Sequence, residues 1–327
     1  MTRQPDSFET GCFYFFRRTI MVIVSAMLKI IVALALGYFL FKKNILTKQA
    51  NAVMSKLIIL ATCPCMVFSS IVSMGSEYKK DVVILLIAGV VIYVVLFLIA
   101  FPVVKLMRPP KESFNTYLCM IVFGNVGFIG FPLASSLYGA LGVFYIGILN
   151  FHFTLFAYTI GMTLMTGSKG EGGKKKFDIK NLINTGTVGV VIALILYLCE
   201  VKVPAVILAP LDFIGQLTSP MAMIVLGGTL ASYSLKKMFG NWRYYIVSLF
   251  KLLVFPVIAF FVLRAILGPG DLTSLITIYV ACPTATMIPM MTLAYGGDWE
   301  NASSGTGLCT ILSLVTIPAL WFLMGAV

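Results

Sequence analysis

Long, nearly uninterrupted apolar stretches recur along this sequence and constrain its fold more than any other feature. A helix needs about 20 apolar residues to cross the hydrocarbon core of a bilayer. Because 60% of the residues are hydrophobic and the stretches are continuous rather than alternating, we expect an all-α integral membrane protein and not a β-barrel. The ten predicted transmembrane helices lie at about 19–41, 52–73, 82–104, 114–137, 142–166, 181–200, 207–232, 244–267, 272–295 and 302–325.

The positive charge of the chain indicates membrane topology rather than nucleic-acid binding. The net charge is +12, but the 24 basic residues lie mostly in short connections between apolar stretches. With the N-terminus outside, fourteen of them fall in inner connections and seven in outer segments. Lys and Arg are enriched in cytoplasmic loops. We therefore predict a multi-pass plasma-membrane protein with extracytoplasmic termini, a cytoplasmic central loop and no nucleic-acid partner.

Prolines recur at a nearly constant offset, which indicates an internal repeat. Pro64 and Pro220 are 156 positions apart, each in the second predicted span of its half. Pro132 and Pro289 are 157 positions apart, each in the fourth span of its half. Since five spans is an odd number, the second copy must be inverted relative to the first, as in many secondary transporters. The predicted organisation is a first repeat at 1–166, a cytoplasmic loop at 167–180 and a second, inverted repeat at 181–327.

Two predicted spans contain helix-breaking residues at matching positions. Residues 124–132 read GNVGFIGFP, and residues 282–289 read CPTATMIP. In a helix interior glycine costs about 1 kcal/mol and proline about 3 kcal/mol relative to alanine. Unwound backbone at membrane depth is tolerated where it is buried in protein or lines a watery cavity. Paired interruptions of this kind predict a transport site near the bilayer midplane.

The chemistry expected at such a site follows from the free helix ends. A half-helix N-terminus suits an anion, and the carbonyls freed by the break suit a cation. The alternative is that the glycines only allow close helix packing and the prolines only kink the helix. The predicted substrate-binding residues are Gly124, Asn125, Gly127, Cys282, Thr284 and Thr286, and the predicted hinge residues are Gly130, Pro132, Pro283 and Pro289.

Four segments, GNVGFIGFPL, ACPTATMIPM, SKLIILATCPCMVFSS and MAMIVLGGTLA, resemble the auxin efflux carrier family. The resemblance runs along essentially the whole chain, and the short central connection fits a bacterial-type member. It implies two inverted five-helix repeats with broken, crossing fourth and ninth helices. It also implies a scaffold of spans 1, 2, 6 and 7, a mobile transport domain of spans 3–5 and 8–10, and a homodimer that moves organic anions by an elevator-like motion. The crossover asparagine of the family maps onto Asn125, and its crossover prolines map onto Pro132 and Pro289.

A few polar side chains lie within predicted spans and have two interpretations each. Lys29, His152 and Asn150 are candidates for a proton or substrate relay, because ionisable groups inside a membrane are commonly functional. The alternatives are that Lys29 snorkels to the surface and that His152 shares an ordinary buried hydrogen bond. We expect Lys56 and Lys251, which lie near inner span ends, to snorkel.

The first candidate function is transport of a small carboxylate, either auxin-like or a dicarboxylate. Two other functions remain open. One is a sodium-coupled symporter of the bile-acid type, so H⁺ and Na⁺ are both candidate coupling ions. The other is an intramembrane enzyme with a Ser–Lys site at Lys29 or Lys56. With one histidine, seven cysteines and no acidic residue deep in a span, we expect no catalytic residues, no metal site and no cofactor.

Overall fold

The computed structural model describes residues 7–166, 185–294 and 297–326, which are helical apart from turns and an isolated β-bridge. The central loop predicted at 167–180 lies outside the described residues. The helices, numbered in chain order, are α1 (Ser7–Lys42), α2 (Lys48–Val72), α3 (Ser76–Met107), α4 (Lys111–Val122), α5 (Val126–Met165), α6 (Thr185–Leu198), α7 (Ala205–Ser232), α8 (Leu235–Met238), α9 (Trp242–Leu267), α10 (Asp271–Ala281), α11 (Met287–Ala294) and α12 (Trp299–Ala326).

Within these residues, seven helices are long and apolar enough to cross a membrane, namely α1, α2, α3, α5, α7, α9 and α12. Two more, α6 and α10, are apolar but shorter. The chain is therefore a multi-pass helical membrane protein, as its apolar stretches predict. The number ten stays a prediction, since the spans predicted at 114–137 and 272–295 are each divided between two helices.

Gly139 interrupts α5 between the spans predicted to end at 137 and to begin at 142. Its backbone has φ +59° and ψ −135°, a region that only glycine adopts readily. A side chain there would be strained even though the space beside it is open. Glycine at this position therefore lets the chain turn between the two parts of α5.

Three of the four π-helical turns in the described helices end two positions before a proline. They are Ile58–Thr62 before Pro64, Val126–Gly130 before Pro132 and Phe250–Val254 before Pro256. Proline lacks the N–H donor of the regular ladder, and its ring displaces the carbonyl four residues back. The preceding turn widens to the i→i+5 pattern instead. In α2 and α9 the prolines thus leave the helix continuous but change which side chains face inward.

The packing of α1 on α7 depends on two glycines. A β-carbon added at Gly37 would overlap the backbone of Ile224, and one added at Gly227 would overlap the backbone of Leu34. Small residues let helix backbones approach closely, which is a main source of association between helices in membranes. Gly37 and Gly227 are therefore required for this helix pair.

The helices pack in two groups that share α5. In the first group α1 packs on α7, and α2 packs on α6 and α7. In the second group α3 packs on α4, α9 packs on α10 and α12, and α11 packs on α12. α5 contacts members of both groups. Both interrupted segments, between α4 and α5 and between α10 and α11, border helices of the second group.

Candidate functional site

The two interruptions predicted from the sequence lie against each other. α4 ends at Val122 and α10 ends at Ala281. Beyond these ends the chain is extended, and Gly124 and Thr284 form an isolated antiparallel bridge. Two segments about half the chain apart in sequence are therefore joined through their backbones.

Two hydrogen bonds accompany this pairing. The Asn125 N–H donates to the Pro283 carbonyl at 2.6 Å, and the Ala285 N–H donates to the Phe123 carbonyl at 3.0 Å. Buried backbone groups without a partner are costly, especially where no water is available. Each break therefore satisfies backbone groups that the other leaves without a helical partner, which explains why the two breaks occur together.

The three glycines of the first break have different surroundings. A β-carbon added at Gly124 would lie 3.1 Å from Cβ of Cys282, and one added at Gly130 would lie 3.2 Å from Sγ of the same residue. An added β-carbon at Gly127 meets nothing within 4 Å. Close packing therefore accounts for Gly124 and Gly130. Gly127 instead borders open space.

Asn125 carries a polar group that the described protein leaves unpaired. Its Oδ1 accepts a hydrogen bond from the Phe128 N–H at 3.4 Å and so caps the turn that begins α5. Its Nδ2 is buried and has no hydrogen-bond partner among the described residues, and the residue is only 3% exposed. A buried unsatisfied donor typically costs about 1–3 kcal/mol. The amide is therefore a donor that a bound ligand would satisfy.

The side chains of Thr284 and Cys282 donate hydrogen bonds to backbone carbonyls of the protein. The Thr284 hydroxyl donates to the Met120 carbonyl at 2.8 Å, and the Thr284 N–H lies 3.4 Å from the Cys309 sulfur. The Cys282 thiol donates to the Ile278 carbonyl at 3.4 Å. The Thr284 hydroxyl therefore joins the second break to α4, whereas the bond of the Cys282 thiol stays within the end of α10. The predicted contact of these two residues with substrate stays a prediction.

The remaining predicted residues of the two breaks are buried close to the bridge. Thr286 directly precedes α11 and is 9% exposed. Pro132 lies in the first turn after the widened start of α5, and Pro289 lies within α11; both are buried. The Pro283 carbonyl is already a partner of Asn125.

Lys251 does not snorkel, and this sequence-based expectation is wrong. The residue is 1% exposed, and its ammonium donates to the Val122 carbonyl at 3.1 Å. Nζ also lies 3.4 Å from the position of an added Gly124 β-carbon. Pro256, five residues further along, is the sequence signal for the widened turn that carries Lys251. Lys56, by contrast, is exposed.

The polar face of α12 was not singled out from the sequence. Its buried hydroxyl residues include Ser303, Thr306, Thr310 and Ser313, which recur at intervals of three and four and so share one face. The Thr306 hydroxyl has no hydrogen-bond partner among the described residues. This helical spacing within NASSGTGLCTILS is the signal that identifies the face. It packs inward rather than toward lipid.

The three candidate relay residues are Lys29, Asn150 and His152. Lys29 is exposed on α1. His152 is buried, with Nδ1 3.2 Å from the Ile148 carbonyl and its ring against Gly89 of α3. The side chain of Asn150 is half-buried. No hydrogen bond among the described residues links these side chains to the bridge.

The bridge region has positive character. α5 begins at Val126 and α11 begins at Met287, so the positive ends of two helix dipoles follow the bridged residues. Among the residues whose side chains the structure describes, from residue 25 onward, Lys251 is the one Lys, Arg, Asp or Glu that is buried. The same part of the chain contains no group of three or more His, Cys, Asp or Glu suited to a metal ion. The arrangement suits an anion.

Comparison with known proteins places these features in a family context. A family model described as membrane transport protein matches residues 22–321. An uncharacterized transporter of Methanocaldococcus jannaschii is 23% identical over 311 residues, which cover 92% of this chain and 98% of that protein. The protein named "Uncharacterized transporter YfdV" of Escherichia coli K12 is 27% identical over 220 residues, or 64% of this chain and 69% of the relative.

A third relative has a substrate in its name. The protein named "Putative malonate transporter" of Rhizobium meliloti is 24% identical over 213 residues, which cover 62% of this chain and 64% of the relative. Together with the family match, these relatives confirm the resemblance to auxin efflux carrier-type transporters that the sequence motifs predict.

Proposed function

Because the chain belongs to the membrane transport protein family, we propose that it is a secondary carrier of a small organic anion. The anion binds at the Gly124–Thr284 bridge. The observation that carries this proposal is the pairing of two broken helices, since it brings two half-helix N-termini to one place inside the protein.

The groups around the bridge support a carboxylate ligand. The unpaired Nδ2 of Asn125 can donate a hydrogen bond to a carboxylate oxygen. Gly127, two residues further along, borders open space, which is the proposed room for the ligand. The two helix N-termini add the positive ends of their dipoles. In this proposal Asn125 makes the principal contact with the anion, and Thr286 lies at the start of α11. Thr284 and Cys282 keep the two breaks in register.

A small carboxylate, including a dicarboxylate, is the substrate class that we propose. The buried ammonium of Lys251 next to the bridge favours a negatively charged ligand. The name of the Rhizobium meliloti relative makes malonate a sensible first probe. An auxin-like aromatic carboxylate belongs to the same chemical class and is the second probe.

The proposed architecture is ten spans in two inverted repeats, at 1–166 and 181–327. The grouping of helices supports it, because α1, α2, α6 and α7 pack together while α3, α4 and α9 to α12 form the second group. We propose that the first group is a fixed scaffold and that the second group, with α5, carries the anion across by an elevator-like movement. Gly130, Pro132, Pro283 and Pro289 fix the shape of the moving breaks. The carrier acts as a homodimer.

The proposed location is the plasma membrane, with both termini outside and the 167–180 loop in the cytoplasm. The excess of Lys and Arg in the inner connections supports this orientation. Thiol labelling of single cysteines placed at Lys111 and at Lys202 in intact cells checks it. The first should be protected from an impermeant reagent, and the second should react.

Uptake into proteoliposomes tests the carrier function. Labelled malonate, succinate, benzoate and indole-3-acetate are offered outside, with and without the same anion inside. We expect saturable uptake of at least one of them. Asn125→Ala should lower it about tenfold or more, because it removes a hydrogen bond to a charged ligand worth about 1.5–3 kcal/mol. Gln216→Ala, which removes an exposed amide outside both breaks, is the control and should stay within about twofold of the wild type.

Two results decide against this proposal. Folded protein that takes up none of the four anions is not a carrier of small carboxylates. Uptake that survives both Asn125→Ala and Pro289→Ala does not use the bridge. The second result retains a carrier but moves its site elsewhere.

A further inference from the structure

Lys251 is a buried cation beside the proposed anion site. It lies in the widened turn Phe250–Val254 of α9 and is 1% exposed. Moving an ammonium out of water costs several kcal/mol even after the protein has relaxed around it. An ionisable residue at such depth is therefore a functional candidate.

The surroundings of the ammonium are carbonyl groups at helix ends. Nζ donates to the carbonyl of Val122, which is the last residue of α4. Around the position of an added Gly124 β-carbon, Nζ lies at 3.4 Å and the Cys282 carbonyl oxygen at 3.3 Å. Cys282 directly follows the end of α10. The ammonium thus lies where the C-terminal ends of two half-helices meet, and such ends carry negative partial charge.

Carbonyls of this kind hold the coupling ion in carriers with broken helices. In this chain the Val122 carbonyl already accepts a hydrogen bond from the Lys251 ammonium. We propose that the Lys251 ammonium is the built-in cation of the bridge, in the place where a sodium-coupled carrier would hold a bound ion. The proposal rests on the proposed carrier function and adds that transport needs no inorganic cation at this position.

The charge balance of the site agrees with this assignment. No Asp or Glu is buried among the residues whose side chains the structure describes, so none of these carboxylates is a buried counter-ion of Lys251. The two helix C-termini contribute about half an elementary charge each at most, so together they can offset about one positive charge. Lys251 would therefore hold the carbonyl side of the bridge while Asn125 and the helix N-termini hold the anion.

A purely structural role for Lys251 predicts loss of stability on mutation and nothing more. A built-in cation predicts in addition that a small cation can replace it. The apparent melting temperature of the purified protein, followed by tryptophan fluorescence in choline chloride and in sodium chloride at equal ionic strength, separates the two roles. The variants are Lys251→Ala, Lys251→Met and the exposed control Lys56→Ala.

The wild type and Lys56→Ala should melt at the same temperature in both salts. Lys251→Ala should melt lower in choline and recover several degrees in sodium, because Na⁺ can enter the vacated space beside the Val122 carbonyl whereas choline is too large. Lys251→Met fills that space without charge and should not recover. Sodium stabilisation of the wild type, or a Lys251→Ala variant indifferent to sodium, overturns the proposal.

If Lys251→Ala yields no folded protein in either salt, the wild type and Lys251→Arg are compared instead. The proposal then requires that the melting temperature of each is the same in choline chloride and in sodium chloride. Malonate uptake is the second measurement, with the wild type independent of sodium and Lys251→Ala dependent on it. The expected melting pattern without uptake of any carboxylate would reject the carrier function but keep the cation assignment. Wild-type uptake that requires sodium would reject this inference and keep the carrier.

Discussion

Gly124 and Thr284 are 160 positions apart in the sequence, and their backbones pair in an antiparallel bridge between two broken helices. The pairing leaves the second residue of one break, Asn125, with an unpaired buried amide. It also brings the Lys251 ammonium beside the same glycine. Four predictions follow from this arrangement and from the helices that support it.

Substitution of two glycines in the first break should separate packing from binding. Gly124→Ala forces a β-carbon to within 3.1 Å of Cys282, and overpacking of this kind typically costs about 1–3 kcal/mol. We expect the apparent melting temperature to fall by about 2–6 °C. Gly127→Ala meets nothing within 4 Å and should melt like the wild type. An unchanged melting temperature for Gly124→Ala would mean that the bridge is looser than the structure shows.

The Gly127→Ala variant should instead change transport. Its methyl group would occupy the open space next to Asn125 that we assign to the anion. We expect the apparent KM for the transported carboxylate to rise at least about threefold, and more for a larger anion, because a methylene in a binding pocket is worth about 1–3 kcal/mol. Initial uptake rates over a range of substrate concentrations measure this. Equal KM values for wild type and variant would place the anion elsewhere.

The α1–α7 contact should not tolerate a larger side chain. Gly37→Val and Gly227→Val each place side-chain atoms where the backbone of the facing helix lies. The helices must separate, so we expect a lower melting temperature and a lower yield of folded protein for both variants. Gly189→Ala is the control, since its β-carbon would meet Pro64 at an ordinary 3.9 Å. Normal folding of both valine variants would contradict the packing of α1 on α7.

An exposed ion pair joins the two groups of helices. Lys79, at the start of α3, donates to Glu200 at 2.6 Å and to the Leu198 carbonyl at 3.3 Å. The hydrogen bond and charge of Lys79 lower the pKa of the Glu200 carboxyl below its ordinary value. The stabilisation is therefore present above the unfolded-state pKa of about 4.3 and is lost as the pH falls through the lowered pKa in the folded protein.

A double-mutant cycle on this pair measures the coupling. Lys79→Met, Glu200→Gln and the double variant should show a small coupling at pH 7, because exposed ion pairs contribute little and are screened by salt. The coupling should be unchanged at pH 5.5 and should shrink in 1 M salt. A coupling that disappears between pH 7 and pH 5.5 would show that the carboxyl does not have a lowered pKa.

Much of the site was predictable because its signals are local. Glycine and proline break helices wherever they occur, so both interruptions are legible in GNVGFIGFP and CPTATMIP without knowledge of their surroundings. The nearly equal spacing of Pro132 from Pro64 and of Pro289 from Pro220 pointed to matching positions in two halves. Lys251 was misassigned because distance from a span end says nothing about which way the side chain points. The widened turn before Pro256 turns it inward.

A helical membrane protein with two interrupted spans is predictable from the amino-acid order alone, because hydrophobicity and backbone propensity act through neighbouring residues. Three features emerge only in the folded chain: the breaks pair at Gly124 and Thr284, Gly127 borders open space while Gly124 does not, and Lys251 lies beside the bridge. These features depend on contacts between segments more than a hundred residues apart. Hydrogen bonds between such segments form only where the packing of the intervening helices brings them together.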